Sequence, residues 1–160
     1  MPEQVAFRVN GQSVVVDAEL GTTLLFALRN HLNLKATRHG CCEGDCGACS
    51  VLVDGRPVTS CNLPVETVAG QSVETIELLA AQDIASPLIV AMLAEQAGQC
   101  GYCLPGIVMR AKALLAETPS PNRTEIAAAL HGNLCRCGAH NRILRAIERA
   151  GEANAPELGA

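Results

Sequence analysis

The sequence predicts an α+β protein in which a small sheet with one helix packed across it is followed by a bundle of four short helices. Three observations lead to this prediction. In the first half of the 160-residue chain, apolar and polar residues alternate around Asn-Gly and Asp-Gly turn signals. From Ser86 onward the alternation stops and helix-start signals replace it. The nine cysteines form one set of four in each half, with one left over.

A hairpin and a helix are predicted at the start of the chain. The apolar residues of 5–9 and 14–16 alternate with polar ones on either side of the turn signal Asn10-Gly11. Thr22 or Thr23 can then cap a short helix. The apolar face of this helix consists of Leu24, Leu25, Leu28 and Leu32.

A second hairpin follows a glycine- and cysteine-rich stretch at 40–49. Its strands contain Val51, Val53 and Val58, and its turn signal is Asp54-Gly55. Residues 73–76 are predicted as the last strand. This order of hairpin, helix, loop and further strands is the one expected of a compact sheet with one helix across it.

Four helices are predicted after a domain boundary between residues 80 and 86. Caps and prolines mark their starts, and glycines or prolines mark their ends. They comprise 88–96 after the start signal Ser86-Pro87, a second helix opened by Pro105 and closed by Pro119 and Pro121, a third over 124–130, and a fourth over 141–150. The predicted organisation is therefore a domain at 1–82, a helical domain at 83–151 and a flexible tail at 152–160.

Composition argues against nucleic-acid binding and against a membrane span. The formal net charge is −4 and aromatic residues make up 2% of the chain, so neither a basic surface for phosphates nor a stacking surface for bases is available. No apolar run reaches the roughly 18 residues of a membrane helix. The N-terminus carries no secretory signal. These features predict a cytoplasmic protein, with export alongside a signal-bearing partner left open, and in a reducing compartment clustered cysteines indicate metal or redox sites.

The first cysteine set has the spacing of plant-type [2Fe–2S] ferredoxins, C-x4-C-x2-C followed by a distant fourth cysteine. Three thiolates from one loop must converge on two irons, and Gly40, Gly44 and Gly47 give that loop the backbone freedom to do so. A structural zinc site is the alternative, although zinc sites usually pair two short C-x2–4-C knuckles. The predicted ligands are Cys41, Cys46, Cys49 and Cys61. Cys42 is predicted to be a thiol that binds no metal, because using it would break the spacing.

The second cysteine set lies at two predicted interhelical turns. Cys100 and Cys103 stand between the first two helices, and Cys135 and Cys137 between the last two. If the bundle brings both turns to one end, these four cysteines can form one site. Taken alone, the set fits a four-cysteine zinc site almost as well as an iron–sulfur cluster. The close Cys-x-Cys pair and the upstream loop favour iron–sulfur.

Three motifs together resemble one family. The stretch GCCEGDCGACSVLVDG at 40–55 resembles the first cluster loop of the iron–sulfur subunit of molybdenum hydroxylases, the xanthine dehydrogenase and aldehyde oxidoreductase family. QCGYCLPG at 99–106 and GNLCRC at 132–137 resemble its second cluster motifs. Two departures are Cys42, where members often carry glycine or a polar residue, and Gly138-Ala139-His140, where many read Thr-Gly-Tyr. His140 is expected to cap or pack rather than to bind metal.

The resemblance implies a β-grasp ferredoxin domain followed by a four-helix bundle, each with one [2Fe–2S] cluster. It also implies a large partner subunit with a molybdopterin-type molybdenum cofactor. The helical-domain cluster would lie nearer the pterin, and Gln99 and Cys137 match positions that contact the pterin. Another candidate partner is a subunit that carries FAD or haem c.

The function implied is electron transfer from the molybdenum centre to an external acceptor, with no catalytic activity in this chain alone. The substrate class expected is an N-heteroaromatic compound or an aldehyde, since the Gly-x-His version is similar to members that act on N-heteroaromatic substrates. Two alternatives stay open at this point: a stand-alone ferredoxin-type carrier and a zinc-stabilised interaction module.

Overall fold

The first half of the chain folds into a five-stranded mixed sheet in the computed structural model, which describes residues 2–81 and 86–154. Its strands are β1 (Glu3–Val9), β2 (Gln12–Ala18), β3 (Ser50–Val53), β4 (Arg56–Thr59) and β5 (Ser72–Glu74). Their order across the sheet is β2-β1-β5-β3-β4. The outer pairs β1–β2 and β3–β4 are antiparallel hairpins, while the central β5 runs parallel to β1 and antiparallel to β3.

Both predicted hairpin turns are confirmed. Asn10 and Gly11 have φ values of 51° and 84°, and Asp54 and Gly55 have values of 47° and 78°. Two successive residues with positive φ define the turn whose twist matches that of antiparallel strands. Asn-Gly and Asp-Gly favour this turn because glycine, and to a lesser degree Asn and Asp, tolerate the left-handed region.

One helical segment packs across the sheet, as predicted. Thr23 is the cap, since its Oγ1 accepts a hydrogen bond from the Phe26 backbone N–H. The three-residue helix α1 (Leu24–Phe26) continues into a π-helical turn at Ala27–His31. A short 3₁₀ turn, Val65–Val68, contributes to the same core. The sheet core is built from the inward residues of the strands and this segment: Val5, Phe7, Val9, Val16, Leu24, Leu28, Val51 and Val73.

The strand predicted at 73–76 is shifted and shorter in the structure. β5 ends at Glu74, and Ile76 begins a short helix, α2 (Ile76–Ala80), that the sequence did not predict. The reason lies in Asn10. Its Oδ1 accepts the Thr75 N–H, and its Nδ2 donates to Thr75 Oγ1. The Thr75 N–H is therefore taken out of the strand ladder, and Ile76 packs against the helical core instead of the sheet.

The four-helix bundle is confirmed, with small shifts of the helix ends. Its helices are α3 (Pro87–Ala94), α4 (Leu104–Glu117), α5 (Arg123–Ala129) and α6 (His140–Asn154). α3 stops short of the predicted residue 96, since Gln96 has a φ of 47°, which no α-helix accommodates. The bundle core includes Ile107, Ile126, Ile143 and Ile147, all fully buried.

The predicted tail begins too early. α6 continues through Asn154, so residues 152–154 are helical. The remainder of the tail and the predicted boundary at 82–83 lie at least partly outside the described residues, and the domain division stays a prediction. Within the two described stretches, none of the helices has the length and apolar character needed to cross a bilayer.

Helix α4 joins the two halves by lying against β3. Leu52 of β3 is part of the bundle core. Arg110 Nε donates to Ser50 Oγ at 3.3 Å, and Lys112 forms an ion pair with Glu74 at the edge of the contact. A Cβ added at Gly106 would lie 2.1 Å from the Gly47 carbonyl oxygen. The absence of a side chain at 106 is therefore what allows the helix to approach this closely.

We predict that Gly106→Ala destabilises the protein, although Ala is normally preferred to Gly inside a helix by about 1 kcal/mol. The added Cβ meets backbone, which cannot rotate away, and overpacking of this kind costs about 1–3 kcal/mol or more. Thermal unfolding of the purified, cluster-loaded protein measures the change. Gly132→Ala is the matched control, because the nearest atoms to its added Cβ would be 3.8 Å away. Equal or higher stability of Gly106→Ala would contradict this packing argument.

Candidate metal centres

The first cysteine set is held partly by the sheet and partly by a loop. Cys49 immediately precedes β3 and Cys61 follows β4, and both are buried, with 2% and 7% of their surface exposed. Cys41 and Cys46 are half-buried in the glycine-rich loop. Arg29 orders the segment leading into this loop by donating to the Thr37 carbonyl at 2.7 Å. The sheet thus fixes two thiols and the loop folds the other two over them.

The four sulfurs of this set form two pairs. The backbone N–H of Cys41 donates to Cys46 Sγ at 3.3 Å, and the N–H of Cys46 donates to Cys41 Sγ at 3.4 Å. The thiols of Cys49 and Cys61 contact each other in the second pair. Gly40 is required beside the first pair, since a Cβ there would lie 2.5 Å from Cys46 Sγ.

The two pairs differ in how readily they ionise. The N–H groups of Glu43 and Cys46 lower the pKa of Cys41 to about 7, because they donate to its sulfur and favour the thiolate. Burial, together with the adjacent Cys49, raises the pKa of Cys61 to about 12. A metal bound here would displace the proton from the buried thiol, since only the thiolate is a ligand.

The second set is brought together as the sequence predicted. Cys100 and Cys103 stand in the turn before α4, and Cys135 and Cys137 in the turn before α6. Cys137 Sγ lies 3.5 Å from Cys100 Sγ, and the thiols of Cys103 and Cys135 contact each other. The Ala139 N–H donates to Cys135 Sγ at 3.4 Å. This set therefore also consists of two pairs of sulfurs with backbone donors directed at them.

The second set repeats the contrast in ionisation. The backbone N–H of Tyr102 and the neighbouring Cys137 thiol lower the pKa of Cys100, which is exposed. Burial and the contact with Cys135 raise the pKa of Cys103 to about 12. In each set, then, one thiol near the surface has a lowered pKa and one in the interior has a raised pKa.

The arrangement in pairs fits a two-iron cluster better than one zinc ion. With metal–sulfur bonds of about 2.3 Å, a single tetrahedral ion would draw four sulfurs to within roughly 3.8 Å of one another. In the part of the chain that the structure describes, no three Cys, His, Asp or Glu side chains are grouped closely enough to hold one ion. A [2Fe–2S] cluster has two irons, each needing two thiolates, and its sulfurs accept hydrogen bonds from backbone N–H groups.

The remaining predicted residues lie around these sets. Gln99 is exposed, and its Nε2 donates to the Cys137 carbonyl at 3.1 Å. Cys42 is exposed, has a φ of 62°, and belongs to neither pair. His140 Nε2 lies 3.3 Å from the Asn133 carbonyl oxygen, so this histidine takes the packing role expected of it.

Sequence reasoning missed the residues that join the two cysteine loops. The Leu134 N–H donates to the Cys46 carbonyl at 3.0 Å, and the Tyr102 hydroxyl donates to the His39 carbonyl at 2.5 Å. Asn133 Nδ2 donates to the Gly47 carbonyl at 3.1 Å. Asn133 lies inside a recognised motif, but no local pattern indicates that its partner is 86 residues away.

Two family models match the chain. One is described as a 2Fe-2S iron-sulfur cluster binding domain and matches residues 7–83, and the other as a [2Fe-2S] binding domain and matches residues 75–148. Together they span the sheet and most of the bundle, in the order predicted from the sequence.

Curated relatives match over nearly the whole chain. Nicotinate dehydrogenase of Pseudomonas putida has one component that is 45% identical over 152 residues, which is 95% of this chain and 97% of the relative. The alpha subunit of isoquinoline 1-oxidoreductase from Brevundimonas diminuta is 48% identical, over 91% of this chain and 96% of the relative.

A solved structure, quinoline 2-oxidoreductase of Pseudomonas putida 86, matches with a TM-score of 0.91 and 35% identity over 96% of both chains. Aldehyde oxidoreductase of Desulfovibrio desulfuricans matches with a TM-score of 0.90 over 94% of this chain and 17% of that longer chain. On the two cluster-binding models, the relatives and the fold, this chain belongs to the family of [2Fe–2S] small subunits of molybdenum hydroxylases.

Proposed function

We propose that this chain is the electron-transfer component of a molybdenum hydroxylase and passes electrons from the molybdopterin-type cofactor of a large partner subunit to an external acceptor. The observation that carries the proposal is the grouping of eight thiols into two sets, each divided into two pairs. When bound, the two [2Fe–2S] clusters supply one-electron redox chemistry, which divides a two-electron oxidation into single steps.

The ligand assignment follows the sulfur pairs. In the sheet domain, Cys41 and Cys46 hold one iron, and Cys49 and Cys61 hold the other. In the helical domain the pairs are Cys100 with Cys137 and Cys103 with Cys135. The backbone N–H groups that donate to Cys41, Cys46, Cys100 and Cys135 stabilise the thiolates and help to set the reduction potential.

The large subunit is proposed to cover the outer side of the second set. Gln99 and Cys100 are exposed there, and Leu134, an apolar residue next to the cysteine motif, is 63% exposed. Gln99 and Cys137 are the proposed pterin contacts. The hydrogen bond from Gln99 to the Cys137 carbonyl holds this side chain over the second set.

The proposed substrate class is an N-heteroaromatic compound, with aldehydes as the second candidate. Relatives named for nicotinate, isoquinoline and quinoline support the first, and aldehyde oxidoreductases support the second. Substrate contacts would lie in the large subunit. The proposed acceptor is a soluble carrier or a further subunit that carries FAD or haem c. The proposed compartment is the cytoplasm, where nine unpaired thiols would remain reduced.

We predict that the complex, purified anaerobically, contains about four irons and about four sulfides per copy of this chain, because two [2Fe–2S] clusters require them. Metal analysis and acid-labile sulfide assays measure this, and two EPR signals should appear on reduction. Stoichiometric zinc without sulfide would instead identify structural zinc sites.

We predict that Cys103→Ser loses the helical-domain cluster, because it removes one thiol of a buried pair. The iron content should fall by about two per chain, with loss of one EPR signal and of turnover. Cys42→Ser is the matched control, since Cys42 is exposed and unpaired, and it should keep both signals. Equal losses in the two variants would count against the ligand assignment.

We predict that Gln99→Ala keeps both clusters but slows turnover of the complex about tenfold, which corresponds to ~1.4 kcal/mol in the barrier. The reason is that an exposed side chain outside the sulfur pairs can be removed without disturbing ligation. Iron content, EPR and steady-state rates distinguish the two effects. Gln4→Ala, at an exposed glutamine on β1, is the control. An unchanged rate in Gln99→Ala would remove Gln99 from the proposed pterin contact.

A further inference from the structure

A buried polar junction joins the two cysteine loops. It consists of Gly47 in the first loop, Ser50 at the start of β3, Arg110 in α4 and Asn133 before the second Cys-x-Cys pair. The Gly47 carbonyl accepts three hydrogen bonds: from the Ser50 N–H at 3.1 Å, from Ser50 Oγ at 2.8 Å and from Asn133 Nδ2 at 3.1 Å. Ser50 and Asn133 are 2% and 3% exposed, so water does not compete for these bonds.

The junction leaves no space for the loops to shift. A Cβ at Gly47 would lie 2.3 Å from the Gly132 carbonyl oxygen and 2.5 Å from Asn133 Nδ2. On the opposite side, a Cβ at Gly106 would lie 2.1 Å from the Gly47 carbonyl oxygen. The first loop is therefore held between the backbone of α4 and the backbone that leads into the second cysteine pair.

Asn133 is tied to the second set as firmly as to the first. Its N–H donates to the Leu130 carbonyl at 2.8 Å, and its carbonyl lies 3.3 Å from His140 Nε2 at the start of α6. The next residue, Leu134, donates to the Cys46 carbonyl at 3.0 Å. Cys135 follows directly. Two consecutive residues thus link a segment that contains Cys46 to a segment that contains Cys135.

The choice of asparagine at this position is not favoured by stability alone. Among the described residues, its Oδ1 is buried without a hydrogen-bond partner. A buried polar atom in that state lowers stability, and an apolar side chain would avoid the penalty. The Nδ2 group faces a carbonyl, which can only accept. The donor is therefore the part of the side chain that the position uses.

We propose that Asn133 is a positioning residue whose Nδ2 donor sets the separation and relative orientation of the two cysteine loops, and with them the coupling between the two centres. This inference rests on the ligand assignment proposed above. It assigns Asn133 no contact with a metal, a pterin or a substrate.

The test uses the assembled complex with Asn133→Asp, which keeps the shape of the side chain and removes the donor. Two paramagnetic centres close together split each other's EPR lines, by an amount that depends on their distance and orientation. We expect Asn133→Asp to retain the iron content of the unchanged complex and to lose or alter the splitting between the two reduced clusters. Asn133→Ser, whose side chain is too short to reach Gly47, should behave in the same way.

Asn122 offers a matched pair of controls. Its Oδ1 accepts from the N–H groups of Thr124 and Glu125 as the cap of α5, at a distance in sequence from both loops. Asn122→Asp keeps the acceptor and should change nothing. Asn122→Ala loses the cap and about 1 kcal/mol of stability, which controls for destabilisation alone, and it should keep the splitting.

Each outcome decides the inference. A changed splitting at full iron content in the Asn133 variants, with unchanged splitting in the Asn122 variants, supports it. Full iron content with unchanged splitting in Asn133→Asp overturns it, as does the same change in Asn122→Ala. If Asn133→Asp loads too little iron for the measurement, Asn133→Ser is judged by the same criterion. A lack of clusters in the unchanged complex would instead refute the proposed function.

Discussion

Direct backbone contact between the two cysteine loops is the constraint on which the arrangement of the two halves depends. Gly47 lies between Gly106 of α4 and the Gly132 carbonyl, with no room for a side chain at 47 or 106. Such close approach requires α4 to lie against β3, and the buried hydrogen bond from Arg110 to Ser50 anchors that packing. The sheet and the bundle therefore share one rigid contact at the point where their candidate centres meet.

The environment of the thiols follows from the same packing. Residues at the ends of strands and helices, such as Cys61 and Cys103, are drawn inward, and burial raises the pKa of both. Residues on the loops, such as Cys41 and Cys100, are nearer the surface, and backbone N–H groups lower their pKa. Because only thiolates bind metal, the loop thiols are the first available to an incoming iron, and binding at the interior thiols must release protons.

Several boundaries were wrong for reasons that lie outside the local sequence. Residue 76 has the apolar character of a strand residue, but Asn10, from the opposite end of the domain, withdraws the Thr75 N–H from the ladder and a helix begins instead. The helix α6 outlasts its predicted end at Ala150, because Gly151 is buried close to the Pro119 carbonyl and the chain continues to pack there. Local propensity is a weak guide where tertiary contacts satisfy the backbone differently.

Local sequence was enough to predict the hairpin turns, the change from strands to helices and the division of eight cysteines into two sets. These features depend on intrinsic backbone preferences, periodicity and spacing, which act over a few residues. How the sulfurs pair, which thiols are buried and that Asn133 holds Gly47 became visible only once the chain was folded. Pairing and burial depend on which distant segments come into contact, and a hydrogen bond spanning 86 residues leaves no periodic trace in the chain.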